Sequence, residues 1–339
     1  METPGKKSKK EEPPKKFLEH KKTTSVQIGS FDLASSERGF SHTIDLYDFL
    51  PKYVWGKVER VEGIYLPRLE REFESRGEKY ILFVHPASIT DKDGREKYYY
   101  PTKREDVVED ALRKIMAEKQ GFLLDGEAAM SFSIYQLSKE LKENGHKYDN
   151  RQIKDAINVL AKTTIELKSS DDKVSLIFHL IEAVGYKGVD DETHTFVKFS
   201  PLVTKSIKEN TFRSVNYKKV MSYKHALPRQ LHKRMAHHYT QASLTDPYTI
   251  LLTTIIRDFG LTRRKQLKDN LRELEEALAE LKNSDVVINY ILDKIIEKSP
   301  RFKLADVKVI IQPHFDFVTE VKRANARRKI ETVKIGNLS

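Results

Sequence analysis

No cysteine occurs among the 339 residues, and there is a single tryptophan. That excludes disulfide scaffolds, cysteine zinc sites, iron-sulfur clusters and thiol nucleophiles. No apolar run approaches the ~18 residues needed to span a bilayer. The opening residues, Met1 to Lys16, are charged with no apolar stretch behind them, which is not the pattern of a secretory signal. The expected compartment is therefore the cytoplasm, with no membrane partner. What the chain has in quantity is charge: 61 Lys and Arg against 50 Asp and Glu, a net +11 and a pI of about 9.3. A field of that sign raises the local concentration of polyanions, nucleic acid above all. The length accommodates two domains, or two and a small appendage.

The pattern along the chain divides it into five stretches. Residues 1–26 mix Lys, Glu and Pro without apolar periodicity, the signature of a disordered basic tail. Residues 27–104 read as a β-rich appendage. In it, Tyr80-Ile81-Leu82-Phe83-Val84 and Lys97-Tyr98-Tyr99-Tyr100 flank the turn Asp91-Lys92-Asp93-Gly94 as a hairpin, and Leu66 to Glu74 fits a short helix. Residues 105–199 and 200–312 repeat one order of elements: helix, helix, tight turn, helix, hairpin. In the first copy Asp106 to Lys119 buries Val107, Ala111, Leu112, Ile115 and Met116. Ile134 to Asn144 then stops at Gly145, Asp149 with Gln152 opens a third helix by a capping box, and two β-rich segments follow. In the second copy a helix over Pro228 to Ala242 leads to Tyr248 to Phe259, a turn at Gly260, and a long helix after Thr262. That helix carries Leu267, Leu271, Leu274, Leu278 and Leu281 on one face. Residues 313–339 form a basic C-terminal tail or frayed helix. The fold class expected is α+β: two tandem winged helix-turn-helix domains behind an N-terminal appendage that contains a β-hairpin.

The sharpest local signal is Thr262-Arg263-Arg264-Lys265-Gln266-Leu267-Lys268-Asp269-Asn270. With Thr262 as cap, three cations fall in the first turn of a helix, at its positive end, while Glu273, Glu275, Glu276 and Glu280 lie further along. Each cation so placed costs roughly 0.3–1 kcal/mol. A polyanion against the tip removes the conflict. Arg263, Arg264, Lys268 and Arg272 are then candidates for guanine edges or phosphates, Gln266 and Asn270 for adenine, and Lys265 for fixing register. The corresponding surface of the first copy carries Lys147, Asn150, Arg151 and Lys154 with ordinary charge placement, suited to a lesser DNA contact or to dimerisation. Arg229, Lys233 and Arg234 end a basic run through the linker and are expected to touch the DNA backbone.

Enzyme signatures are sparse. Gly56-Lys57 lacks the preceding glycine of a P-loop. His225, His232, His237 and His238 are flanked by cations, which favours surface or phosphate roles over a metal. Asp190-Asp191-Glu192 with His194 reads as a solvated acidic turn. Tyr98-Tyr99-Tyr100 invites comparison with the nucleophile of a DNA-nicking protein, but the metal-binding histidine pair of that chemistry is missing and strand packing explains the tyrosines. No catalytic residue, metal or cofactor is expected.

The segments Phe199-Ser200-Pro201-Leu202-Val203-Thr204-Lys205-Ser206-Ile207, Phe212-Arg213-Ser214-Val215-Asn216 and Leu227-Pro228-Arg229-Gln230-Leu231-His232-Lys233-Arg234-Met235-Ala236-His237-His238-Tyr239, with Gln152 to Leu160, resemble plasmid replication initiators built from paired winged helices. His237 and His238 depart from that family's pattern. The resemblance covers roughly Asp106 to Gln312. It implies a non-enzymatic protein that binds direct repeats at a plasmid origin, bends and helps open it, and recruits the host initiator and helicase. It also implies a monomer-dimer equilibrium. A winged-helix repressor and a nicking replication protein remain the alternatives.

Overall fold

The computed structural model describes residues 40–44, 46–56, 65–75, 77–90, 93–171, 175–187, 194–264, 266–297 and 303–336. The basic tail 1–26, the acidic turn 190–192 and Lys265 lie outside them. The fold is α+β, with every strand pairing antiparallel among these residues.

Helix α1, Lys103–Ile115, opens on a capping box between Thr102 and Glu105 and continues through one π-helical turn, Met116–Gln120. Val107, Ala111, Leu112 and Ile115 are buried as the apolar spacing predicts, but so are its charged residues from Glu105 to Lys114. Helix α2, Ile134–Glu143, is capped by Ser133, whose side chain accepts from Gln136 N. Gly145 turns the chain at φ +88°. Helix α3, Asn150–Lys162, then starts with the expected Asp149 and Gln152 capping box and buries Ile153, Ile157 and Leu160.

Around these helices lie two four-stranded sheets. One runs β2 (Leu69–Ser75), β3 (Glu78–His85), β8 (Thr164–Ser169) and β9 (Ser175–His179); the other runs β10 (Ile181–Lys187), β11 (His194–Phe199), β7 (Glu127–Ser133) and β6 (Gly121–Leu124). Two expectations fail here. Residues 69–75 are a strand and not a helix, because Leu69 to Ser75 pairs along its whole length with Val84 to Glu78, and sheet pairing overrides the helix preference of Leu, Glu and Arg. Tyr80–Val84 joins β2 and β8; the hairpin around Asp93-Gly94 is instead β4 (Ala87–Thr90) with β5 (Glu96–Tyr99). The appendage thus extends the sheet of β8 and β9 and shares the core of the first half.

In the second half, α4 (Pro201–Lys208) and α5 (Tyr217–Ser222) lead to α6, Ala226–His238. Residues 200–212, placed above in the second unit by their order, put Val203, Ile207 and Phe212 into the first core. Tyr248–Leu251 is a strand, β13, where a helix was expected to begin, since these β-formers pair with residues 308–311. Helix α7 (Leu252–Asp258), helix α8 (Leu267–Asn283) and the long strands β14 (Val287–Glu297) and β15 (Lys303–Pro313) follow, in a sheet ordered β13-β15-β14. The leucine stripe of α8 is inward: Leu271, Leu274, Leu278 and Leu281 are buried. Where a basic tail or a frayed helix was expected, Phe315–Gly336 is helix α9, docked by Phe317, Val318 and Val321. The strand Phe40–Thr43, β1, pairs with Arg213–Asn216, β12, and so ties the N-terminal segment to the junction of the halves.

Candidate nucleic-acid interface

The turn between α7 and α8 is built by three contacts. Gly260 takes φ +63°, a conformation in which a side chain is strained, and the position of its missing Cβ lies 2.6 Å from the Arg71 guanidinium. Arg71 itself is held by the carbonyls of Pro51 and Tyr53, and its burial lowers the guanidinium to about 10. The single tryptophan, Trp55, donates from Nε1 to the Phe259 carbonyl at 2.8 Å. Beneath these groups is a cleft of about 420 Å³ lined by Trp55, Leu69, Arg71, Ile256, Leu261 and Arg263 among others.

Helix α8 begins at Leu267, with Gln266 at its cap position and no side-chain cap bond. Thr262 is therefore not the cap, and Arg263 and Arg264 stand in the loop ahead of the helix instead of in its first turn. The loop is ordered from inside the helix. Asn270, 1% exposed, accepts from Arg264 N at 3.0 Å and donates to Thr262 O at 3.0 Å. Its side chain is committed to the backbone, so the adenine contact expected of Asn270 is corrected: it shapes the tip and does not read bases. Thr262, Arg263, Arg264, Gln266, Lys268 and Arg272 are all exposed. Among the described residues, Arg263, Arg264 and Lys268 make no ion pair, and Arg272, 83% exposed, comes no closer than 3.9 Å to Glu276. The tip thus presents Arg263, Arg264 and Lys268 to solvent without an ion pair among the described residues, and Arg272 with one long, weak pair to Glu276.

At the start of α3, Lys147 and Arg151 are exposed and Asn150 and Lys154 are half-buried. Arg151 is 67% exposed and 4.0 Å from Asp155, a weak pair one helical turn along.

The remaining three candidates face inward. Arg229 is fully buried, with Nε 2.9 Å from Asp106 Oδ2 and Nη2 2.6 Å from Asp110 Oδ2. Lys233 is 2.7 Å from Asp110 and 3.4 Å from Asp106. Arg234 lies 3.3 Å from Asp258, with Nε 3.2 Å from the Tyr248 hydroxyl. The expectation of backbone contacts from Arg229, Lys233 and Arg234 is corrected, because α6 is enclosed and its cations neutralise carboxylates from other elements. Asp106 carries the mark of the arrangement: burial alone would raise it, but Lys233 and Arg229 pull it down to about 2. The surface or phosphate role for His232 fails as well. It is buried beside the Tyr223 hydroxyl at 3.0 Å, and burial, aided by Lys219 and Lys233, lowers it to about 3. His225 is exposed and bonded to Glu280. Of the tyrosine triplet, Tyr100 is buried with its hydroxyl on the Pro67 carbonyl, and Tyr98 donates to Glu96 at 3.0 Å.

No protein-family model and no curated protein matches this sequence. Solved structures do. The chain shares its fold with domains 2 and 3 of RctB. That crystal structure aligns with a TM-score of 0.50 at 11% identity, over 84% of this chain and 98% of the RctB chain. A second structure of RctB domains 2–3 gives a TM-score of 0.48 at 13% identity over 82% of this chain and 99% of that one. The Pi initiator protein, crystallised in complex with iteron DNA, gives 0.43 at 14% identity over 62% of this chain and 92% of that one. Among the described residues no helix is long and apolar enough to cross a membrane.

Proposed function

We propose that the chain is a sequence-specific double-stranded DNA-binding replication initiator. In this reading α1 to β9 and α6 to β15 are two winged helix-turn-helix units, and α8 reads direct repeats at a plasmid origin from the major groove. The α3 tip adds contacts or serves a monomer-dimer equilibrium. The protein bends and helps open the origin and recruits the host initiator and helicase, with no catalytic step of its own. The observation that carries the reading is the α8 tip. Arg263, Arg264, Lys268 and Arg272 are exposed, and among the described residues only Arg272 has an ion pair, a long one to Glu276, while Arg229 and Lys233, buried in α6, are each matched. Exposed cations without close ion-pair partners around a helix start are stabilised by phosphate or by guanine edges.

The test is a footprint on DNA taken from beside the gene. Protection of several direct repeats next to an AT-rich stretch is expected; one protected palindrome supports a repressor. Arg264→Ala is expected to weaken specific binding by about 1–3 kcal/mol with the fold intact. Unchanged affinity in the folded variant rules that contact out, and relaxation of plasmid in Mg²⁺ with a tyrosine adduct would replace the reading with a nicking enzyme.

A further inference from the structure

The apolar cores of the two halves are separate clusters, and between α1 and α6 the contact is made by charges. Helix α1 contributes Asp106, Glu109, Asp110 and Arg113; α6 contributes Arg229 and Lys233. The segment before β2 adds Asp48 and Lys52, and each of these eight side chains is at most 6% exposed. Cations and carboxylates are equal in number. Arg113 lies 2.8 Å from Asp48 and 2.9 Å from Asp110, and Lys52 lies 3.6 Å from Glu109 and donates to the Tyr47 carbonyl at 3.0 Å. Asp48 in turn accepts from Ile44 N at 2.6 Å.

Well-packed apolar side chains of similar volume often replace buried ion pairs at no cost in stability, so stability by itself gives no reason for the charges. What charges add is register. Arg229 forks onto two carboxylates one helical turn apart on α1, and Lys233, one turn along α6, bridges the same two. A slide of one turn, about 5.4 Å, leaves a buried charge at each end without a partner. An apolar interface has no such penalty and accommodates small sliding shifts between packed helices.

We infer that this buried network is the brace that sets the separation and rotation of the α3 and α8 tips, with Arg229 and Lys233 acting as positioning residues for the spacing of half-sites on DNA. The half-site role rests on the function proposed above; the brace itself does not.

The experiment uses the full chain, whose lack of cysteine allows labels at Lys139→Cys on α2 and Glu275→Cys on α8, both exposed. The quadruple variant Asp106→Leu, Asp110→Leu, Arg229→Met, Lys233→Met leaves the Asp48, Glu109, Lys52 and Arg113 charges balanced. Expected is a narrow label-to-label distance distribution in the otherwise wild-type chain and one about twice as wide in the quadruple variant. On repeat DNA that the wild-type chain enriches from a random pool, re-spaced by a few base pairs, the wild type should discriminate about tenfold. The variant should discriminate about threefold or less while binding the parent repeat. An unchanged distance distribution in the folded variant overturns the inference. Should the quadruple variant not fold, Arg229→Lys, which keeps the charge and loses the fork, is measured instead, and an unchanged width there overturns it equally. Failure of the wild type to enrich any DNA removes the DNA reading and the half-site role, while broadening still upholds the brace.

Discussion

Asn270 reaches back from the first turn of α8 to hold Arg264: its Oδ1 accepts from the Arg264 backbone N–H at 3.0 Å while its Nδ2 donates to Thr262 O at the same distance. The loop that carries the exposed arginines is thus fixed by a residue that solvent hardly reaches. Asn270→Ala is expected to cost about 1–3 kcal/mol of stability, since it leaves two backbone groups unpaired. It should also lower DNA affinity although Asn270 touches no base. Chemical denaturation and binding titration on one preparation measure both, and an affinity equal to wild type would mean that the loop shape does not matter for binding.

Arg229 separates a structural cation from a solvent-facing one. Arg229→Ala removes the fork between Asp106 and Asp110 and leaves buried carboxylates underpaired, so a loss of about 3–5 kcal/mol is expected in urea unfolding. Arg264→Ala should leave the same unfolding curve within about 0.5 kcal/mol of wild type. Equal stability of the two variants would contradict the burial assigned to α6.

Gly260 has no room for a side chain. A Cβ there meets the Arg71 guanidinium at 2.6 Å and Pro51 Cβ at 3.0 Å, and Arg71 cannot swing away without giving up the Pro51 and Tyr53 carbonyls. With φ at +63° besides, Gly260→Ala is expected to destabilise by about 1–3 kcal/mol, read as a drop in melting temperature. A melting temperature at or above wild type would show that the turn is not held as described.

His232 sets an acid limb to the stability curve. Burial lowers the folded imidazole to about 3 from an ordinary 6.5, so between those values the unfolded chain binds a proton that the folded chain does not. Stability therefore falls as pH drops from 6.5, by at most about 1.4 kcal/mol per pH unit from this group. Asp48 and Asp106, both held below the usual carboxylate range, add to the loss only below about pH 4. His232→Phe, which keeps an aromatic ring between Tyr223 and Phe317, should flatten the slope between pH 6 and 4.5. A slope unchanged by the substitution would assign the acid limb to other groups.

The sequence alone determined what neighbours three or four residues apart decide. The capping box of Asp149 and Gln152, the inward leucines of α8 and the turn at Gly260 all rest on local backbone geometry and helical period, and each is present; the helix start is not at Thr262 but at Leu267, which leaves Arg263 and Arg264 in the loop before it. Tertiary structure decided which cations face solvent. Arg229 and Lys233 look like Arg263 and Arg264 in sequence, but their carboxylates lie 119 to 127 residues away on α1, and no periodicity reports a partner at that distance. The same reason turned Leu69–Ser75 into a strand, since its partner β3 and the sheet beyond it, reaching β8 some 90 residues on, outweigh local helix preference. Burial and pairing belong to the packed chain: a charge becomes structural or functional only when the fold fixes what stands opposite it.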